Sequence, residues 1–455
     1  MKFAHIADSH LGAFTKNKNL KRLNLEAFKK AIEMSIAENV DFIIIAGDLF
    51  HNPLPDMETV RTAVYILNKA RARGIRIYVV YGSHDFSAGT TSLLDVLSEA
   101  GVFKKVVRYE QLPNGKIKLL PIKDESGVYL VGMPGLTAAR EVFYFVDEEQ
   151  GIDREYLNTV PNPKIFIFHT TVEELKPEYI ADKNAVPLSR FPHGFDYYAG
   201  GHLHERIEHK MDSGYLIYPG ALFGSNYNDL DVLTGKQRGF YIVEDFEPRF
   251  VPVKVCEFEK KVVNADGKSA MKLESELMDY ASKNHEGKVI ILKVRGELTE
   301  GKIADINFRA IRNKLQETAI DALLNTYALT TVERARIRVP AMAQEEIEHR
   351  VFEEISKYGV DFTNSLFHVL REEKKDEETK HDFEERITHA AMDMILHVLE
   401  QSATREQKKS KTESGKDEKP QTVSKESKEE LRNSKNRQNT SRKEQKKPVS
   451  LFDFG

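Results

Sequence analysis

Apolar residues recur along the first hundred positions with two different periods. Short runs rich in β-branched residues, at 3–7, 41–46 and 75–81, predict strands. Between them, residues 23–38, 60–72 and 93–99 carry apolar side chains at helical spacing, as in Leu23, Phe28, Ala31, Ile32 and Ile36. Strand and helix in alternation imply βαβ units and a mainly parallel sheet. After Gly101 the pattern shortens. Residues 116–122, 129–133, 164–169, 197–200 and 240–243 read as strands between turn signals, which suggests a second sheet packed on the first. Near Arg249 a further unit begins, with helices expected over 268–283 and 303–315 and strands over 288–295 and 320–329. This small α+β unit holds nothing that looks catalytic.

Residues 345–370 and 382–399 then form two amphipathic helices. On the second, Phe383, Ile387, Ala391, Met394, Ile395 and Val398 make one apolar stripe. So short a hairpin cannot bury such stripes alone, so it packs on the body or docks a partner. From Ser402 to Lys447 the chain offers almost nothing to bury and reads as a disordered tail. It ends in Pro448-Val449-Ser450-Leu451-Phe452-Asp453-Phe454-Gly455, an apolar-aromatic cluster on a tether, which has the character of a docking peptide.

Composition narrows the class. With 455 residues the chain exceeds one ordinary core. Its single cysteine, Cys256, excludes an internal disulfide framework and a cysteine-based zinc site, and fits a reducing compartment. No basic-then-apolar leader opens these residues, and no apolar run reaches the roughly 18 residues that span a bilayer. The expectation is a soluble cytoplasmic protein with no membrane association. The net charge of -4 hides an asymmetry: residues 405–447 hold 15 Lys and Arg against 8 Asp and Glu, which leaves the rest of the chain at -11. An acidic body argues against a broad non-specific nucleic-acid surface, although local patches and bound divalent metal would reverse that.

Five strand ends deliver metal-ligand side chains. Asp8-Ser9-His10 follows the first strand, Gly47-Asp48 the second, and Gly82-Ser83-His84-Asp85 the third. His169 ends the run Ile165-Phe166-Ile167-Phe168, and Gly200-Gly201-His202-Leu203-His204 follows Tyr197-Tyr198. In extended chain alternate residues share a face, so Asp-x-His and His-x-His each present two ligands in one direction. A lone histidine after a strand is usually a satisfied structural residue. Five such blocks in order are not explained that way.

These five blocks resemble the signature of the calcineurin-like metallophosphoesterases: Asp-x-His, Gly-Asp, Gly-Asn-His-Asp/Glu, His, then Gly-His-x-His. Within that family the opening Lys2-Phe3-Ala4-His5-Ile6-Ala7-Asp8-Ser9-His10-Leu11-Gly12 is similar to the DNA double-strand-break repair nucleases of the Mre-eleven / SbcD type. So are Ala46-Gly47-Asp48-Leu49-Phe50-His51, Tyr218-Pro219-Gly220 and Gly239-Phe240-Tyr241-Ile242-Val243. The resemblance implies an α/β fold: a two-sheet metallophosphoesterase sandwich flanked by helices (1–248), then an α+β DNA-binding cap domain (249–340). A helical hairpin that binds an SMC-like repair ATPase of the Rad-fifty / SbcC type (341–401) and the disordered tail (402–455) would follow. It also implies two divalent ions, typically manganese, with Asp8, His10 and His204 on the first, His169 and His202 on the second, and Asp48 bridging. His84 resembles the family's catalytic histidine, and His51 one that orients the scissile phosphate. A homodimer through helices 23–38 or 60–72 is implied, with a cytoplasmic, nucleoid-associated location in a prokaryote. The terminal Gln445, Leu451, Phe452 and Phe454 loosely resemble a sliding-clamp-binding motif.

One position departs from the pattern. Ser83 stands where the family usually has Asn, whose neutral carbonyl oxygen ligates the second metal. A serine hydroxyl is shorter and a poorer donor, so weaker or more selective occupancy of that site is expected, with Ser83 reaching the metal through water. Two other readings share these residues. One is a phosphodiesterase or phosphatase acting on nucleotides or phosphoproteins; the other is a non-catalytic scaffold for DNA ends.

Overall fold

The computed structural model describes residues 1–85, 91–180 and 184–331, with positions 365, 366, 369, 372, 383, 386–392 and 394 beyond them. Two units separate: residues 1–334 with 448–455, and residues 335–447. In the second, all the described positions except 372 are helical. Most of the expected hairpin, the tail and the terminal docking peptide lie outside the described residues.

The first unit begins β1 (Lys2–Ile6), α1 (Lys18–Ala37), β2 (Phe42–Ala46), α2 (Met57–Arg71), β3 (Arg76–Val80), α3 (Leu93–Glu99) and β4 (Lys104–Lys105). A small hairpin, β5 (Tyr109–Gln111) and β6 (Ile117–Leu119), precedes β7 (Ile122–Lys123), β8 (Tyr129–Met133), α4 (Glu141–Val146) and α5 (Arg154–Thr159). There follow β9 (Lys164–His169), β10 (Tyr197–Gly201), β11 (Ile207–Lys210), β12 (Tyr215–Tyr218), α6 (Tyr227–Val232), β13 (Gly239–Glu244) and β14 (Glu247–Pro252). One six-stranded sheet runs β14-β13-β1-β2-β3-β4 and the other β11-β12-β10-β9-β8-β7. In the first sheet β1 to β4 run parallel and β13 and β14 join antiparallel; in the second β12, β10, β9 and β8 run parallel between antiparallel edges β11 and β7.

Alternation along each strand builds the layers. Phe42 and Ile44 point between the sheets with Phe3, Tyr78, Ile165, Ile167 and Tyr197. Their neighbours Ile43 and Ile45 point outward, under Leu23, Phe28 and Ile32 of α1 and Ala63 and Leu67 of α2. Strands buried on both faces therefore read as unbroken apolar runs.

Three expectations change. Residues 116–122 do not form one strand, because Pro121 removes a ladder donor and splits the run into β6 and β7. The unit expected from Arg249 starts later: β14 pairs with β13 across a two-residue turn in which Asp245 and Phe246 both have positive φ, and it completes the first sheet. The α+β unit is β15 (Glu257–Asn264), β16 (Lys268–Ser269), α7 (Ala270–Ala281), β17 (Lys288–Glu300), α8 (Phe308–Gln316), β18 (Asp321–Asn325) and β19 (Leu329–Thr331). The helix expected from 303 starts only at Phe308, where Asn307 accepts from Ala310 N–H as its cap. One face of β17, with Ile290, Leu292 and Val294, lies in the core beneath α7 and α8. Val289 and Ile291, on its other face, belong to the same core as α1 and α2, so the small unit is welded to the sandwich.

Candidate metal centre

The site follows from register. Ile6 pairs with Ile45 and Ala46 with Val80, so β1, β2 and β3 end at one edge. In the facing sheet His169 pairs with Gly201, and the carboxyl ends of β9 and β10 arrive at the same edge. Past that edge the first two loops stay zipped: His10 N–H donates to the Asp48 carbonyl at 2.9 Å and Leu11 N–H to Leu49 at 2.9 Å. Asp8 (φ 48°), His10 (φ 44°), Asp48 (φ 47°) and His202 (φ 95°) all occupy left-handed backbone. Strain at non-glycine residues costs on the order of 1 kcal/mol or more each and persists where surrounding structure enforces it.

All nine residues singled out from the sequence meet here. Asp8, His10 and His204 present ligand atoms within 4.8 Å of one another, as do Asp8, Asp48 and His169, and likewise His10, His51 and His84. His10 Nε2 lies 3.0 Å from His204 Nε2 and 3.5 Å from Asp48 Oδ2. His169 Nε2 lies 3.3 Å from the same oxygen, which places Asp48 between the two groups. The His202 backbone N–H donates to both oxygens of Asp8, at 2.9 and 3.1 Å, and its ring centroid is 5.2 Å from that of His169. Ser83, half-buried, lines a cavity of about 280 Å³ with His169 and His202. At the mouth His51 and His84 stack, with centroids 5.1 Å apart and planes 19° apart. His84 Nδ1–H donates to the His51 carbonyl at 2.8 Å, which leaves Nε2 as the nitrogen free to exchange a proton.

Two glycines permit this closeness. A Cβ on Gly47 would sit 2.1 Å from His169 Nδ1, and one on Gly82 would sit 2.0 Å from Asp48 Oδ1. Two carboxylates outside the nine complete the site. Asp85 accepts from the backbone N–H groups of Gly82 (2.9 Å), Phe50 (3.0 Å) and Leu49 (3.3 Å), tying the loop after β3 to the loop after β2. Asp229, in the first turn of α6, accepts from His204 Nδ1–H at 2.9 Å and from Ser225. Asp85 was visible as part of its block. For Asp229 the only sequence signal is the Asn226-x-x-Asp229 spacing of a helix start, which says nothing of a histidine 25 residues earlier.

Protonation follows from these contacts. Burial raises the Asp8 carboxyl to about 6, against the pull of His169 and His204. Asp48 is equally buried, but the imidazoles of His169 and His10 hold its carboxyl well below the usual range. Burial opposes a charged His169, and Asp48 and Asp8 overcome it, raising it to about 10. His204 is likewise disfavoured by burial and raised to about 9 by Asp229. Burial, with Asp48 next, pushes Asp85 up to about 7.

The donor set fits divalent cations. His169 Nδ1–H donates to the Ala46 carbonyl at 3.0 Å, which turns Nε2 inward toward the Asp48 carboxylate. Asp229 does the same for His204, aiming its Nε2 at that of His10. Such outer contacts commonly fix the tautomer of a ligating imidazole. Mixed imidazole and carboxylate suits manganese, iron or zinc better than magnesium or calcium.

Known proteins share parts of this chain. The family model for calcineurin-like phosphoesterases matches residues 1–206. The DNA double-strand break repair protein Mre11 of Archaeoglobus fulgidus is 26% identical over 394 residues, covering 83% of this chain and 82% of that protein. Its namesake in Methanococcus maripaludis is 28% identical over 53% of this chain and 62% of its own length; that of Methanopyrus kandleri is 29% identical over 54% of each. A solved dimetal phosphatase from Danio rerio aligns at 13% identity with a TM-score of 0.36 over 56% of this chain and 99% of its own.

Proposed function

We propose that this chain is a metal-dependent nuclease of the calcineurin-like phosphoesterase family, of the Mre11 type, and that it cleaves DNA at double-strand breaks during repair, with two manganese ions. The observation that carries this reading is the Asp48 carboxylate lying between His10 and His169, with Asp8 and His204 grouped beside them. Asp8, His10 and His204 would hold one ion, His169 and His202 the other, and Asp48 both. When bound, such ions activate a water and neutralise charge building on a phosphodiester.

The chain's own residues supply the rest. His84, anchored through Nδ1 to the His51 carbonyl, presents only Nε2 to the substrate and delivers the proton that the leaving oxygen needs. His51, stacked on it and half-buried, helps to orient the phosphate. Ser83 lines one cavity with His169 and His202, and its hydroxyl, shorter than an Asn carbonyl, would meet a second ion through water and hold it more weakly. Metal titration with anomalous scattering tests this, and full second-site occupancy with Ser83 as direct ligand would refute it.

For partners we propose DNA ends, a repair ATPase of the Rad-fifty / SbcC type on residues 341–401, and a second copy of the chain. The tail would contact a sliding clamp, and the location would be the cytoplasm. For the homodimer, α2 is the better of the two candidate helices. Leu54 (87% exposed), Met57 (70%) and Tyr65 (63%) stand in solvent on α2 and the turn before it, whereas the apolar residues of α1 lie mainly in the core. Among the described residues no helix is long and apolar enough to cross a membrane.

The decisive assay is manganese-dependent cleavage of linear duplexes with blunt and overhanging ends, beside a small chromogenic phosphodiester. DNA cleavage that His84→Ala abolishes while DNA binding persists supports the proposal. Activity on the small ester alone would turn it toward a phosphodiesterase. Binding without cleavage by the unmodified protein would leave a scaffold.

A further inference from the structure

Arg238, just before β13, lies between two cavities. The first, about 610 Å³, is walled by Leu222, Phe223, Val255 and Phe258, with Lys30 and Lys254 on its lining. That volume falls within the roughly 300–1,000 Å³ of typical small-molecule sites. The second, about 260 Å³, is lined by His204 and Arg206, and so opens beside the metal centre. Leu233, Lys236, Gln237 and Arg238 belong to both.

Arg238 Nε and Nη2 are buried with no hydrogen-bond partner among the described residues, and the central guanidinium carbon stands 4.2 Å from the centre of the Phe258 ring. Nearby carboxylates are engaged elsewhere. Asp229 is turned to His204 and Ser225, Glu205 to Lys236 (2.6 Å) and Tyr179 (2.5 Å), and Glu257 to Lys254 (2.8 Å). Burial lowers the Arg238 guanidinium to about 10, the mark of a cation held without an adequate counter-charge. A buried, unpaired cation is costly, and a hydrogen-bonded phosphate offsets that cost better than water does.

We propose that the larger cavity receives an unpaired nucleotide of the substrate strand, with its phosphate held by Arg238 and Lys236 and its base against the apolar wall of Val255 and Phe258. The inference rests on the nuclease reading. It makes the site selective for strands that are single-stranded on the His204 side of the cut, because a paired base cannot leave its stack without cost. Phosphate at Arg238 and base on an aromatic wall is the general chemistry of single-strand recognition.

The experiment measures the affinity of the full-length protein for a fluorescent single-stranded oligonucleotide and for a closed hairpin duplex, across a range of salt concentrations. Arg238→Gln should weaken single-strand binding about tenfold and reduce the slope of log affinity against log salt by ~0.7, the value of one phosphate contact. Hairpin binding should change less than twofold, and Arg238→Lys should recover part of the slope. Lys236→Ala, at an exposed position, should lower the slope in the same direction without disturbing the fold. Unchanged single-strand affinity and slope in both Arg238→Gln and Lys236→Ala overturn the proposal. So does deoxyadenosine monophosphate binding that Arg238→Gln removes while the slope stays put, which would make the cavity a free-nucleotide site. Manganese-dependent DNA cleavage by the unmodified protein is followed in parallel. If it is absent, the nuclease reading fails; if it is present with no Arg238 effect, only this inference fails.

Discussion

Gly82→Ala is the sharpest perturbation of the centre, because one methyl group meets the Asp48 carboxylate that lies between His10 and His169. The added Cβ would lie 2.0 Å from Asp48 Oδ1 and 2.3 Å from the Asp48 backbone nitrogen. Atoms of this kind rest at ~3.5 Å, so the carboxylate must retreat by about 1.5 Å or the loop must lift. Neither movement is free. Gly82 N–H is tied to Asp85 at 2.9 Å, and His84 N–H to Asp48 Oδ1 at 2.9 Å. Overpacking of this kind costs roughly 1–3 kcal/mol of stability. A displacement near 1 Å at a reacting centre costs on the order of 100-fold in rate. We therefore expect kcat/KM on DNA to fall at least ~100-fold while Tm drops by only a few degrees, with weakened manganese binding by calorimetry. Activity within threefold of the unmodified protein would mean that Asp48 is not held where these distances put it, or that it does not bridge.

Three further outcomes follow from named contacts. Asp229→Asn removes the charge that orients His204, and manganese affinity should fall by roughly 10–100-fold in calorimetric titration with little change in the far-ultraviolet spectrum; unchanged affinity would remove Asp229 from the centre. Ser83→Asn should raise second-site occupancy at limiting manganese, read by anomalous scattering; an unchanged metal count would show that the hydroxyl is no handicap. Asp124, opposed by burial but held down to about 2 by Arg76 (2.8 Å) and Tyr78 (2.6 Å), contributes stability that is complete above its ordinary value near 4 and is lost as pH falls from there toward 2. The Tm advantage over Asp124→Asn should therefore be constant above pH 5 and shrink through that window; a gap that grows on acidification would reverse the sign of the argument.

Much of the centre was legible locally. Asp8, His10, Asp48, Ser83, His84, His169, His202 and His204 each sit at or just beyond the end of an apolar run, and strand ends are recognisable because burial on both faces demands unbroken hydrophobicity. Strand boundaries followed for the same reason: β8 and β9 begin and end where the pattern places them. The margins were harder to read. Nothing local distinguishes β14, a strand of the first sheet, from the start of a new unit, because its partner β13 is recognised only through the turn at Asp245 and Phe246.

Residue type and order along the chain thus determined the two-sheet architecture and which side chains stand at the strand ends, since hydrophobic period and turn chemistry act over a few residues. Tertiary structure alone decided which groups support that set. Asp229 reaches His204 across 25 residues, Asp85 reaches Phe50 across 35, and Arg238 is left unpaired between two cavities. Val289 and Ile291 share a core with α1 and α2. Each of these depends on chain segments meeting in space, and the free energy of such meetings comes from burial and charge at the contact, which no local pattern carries.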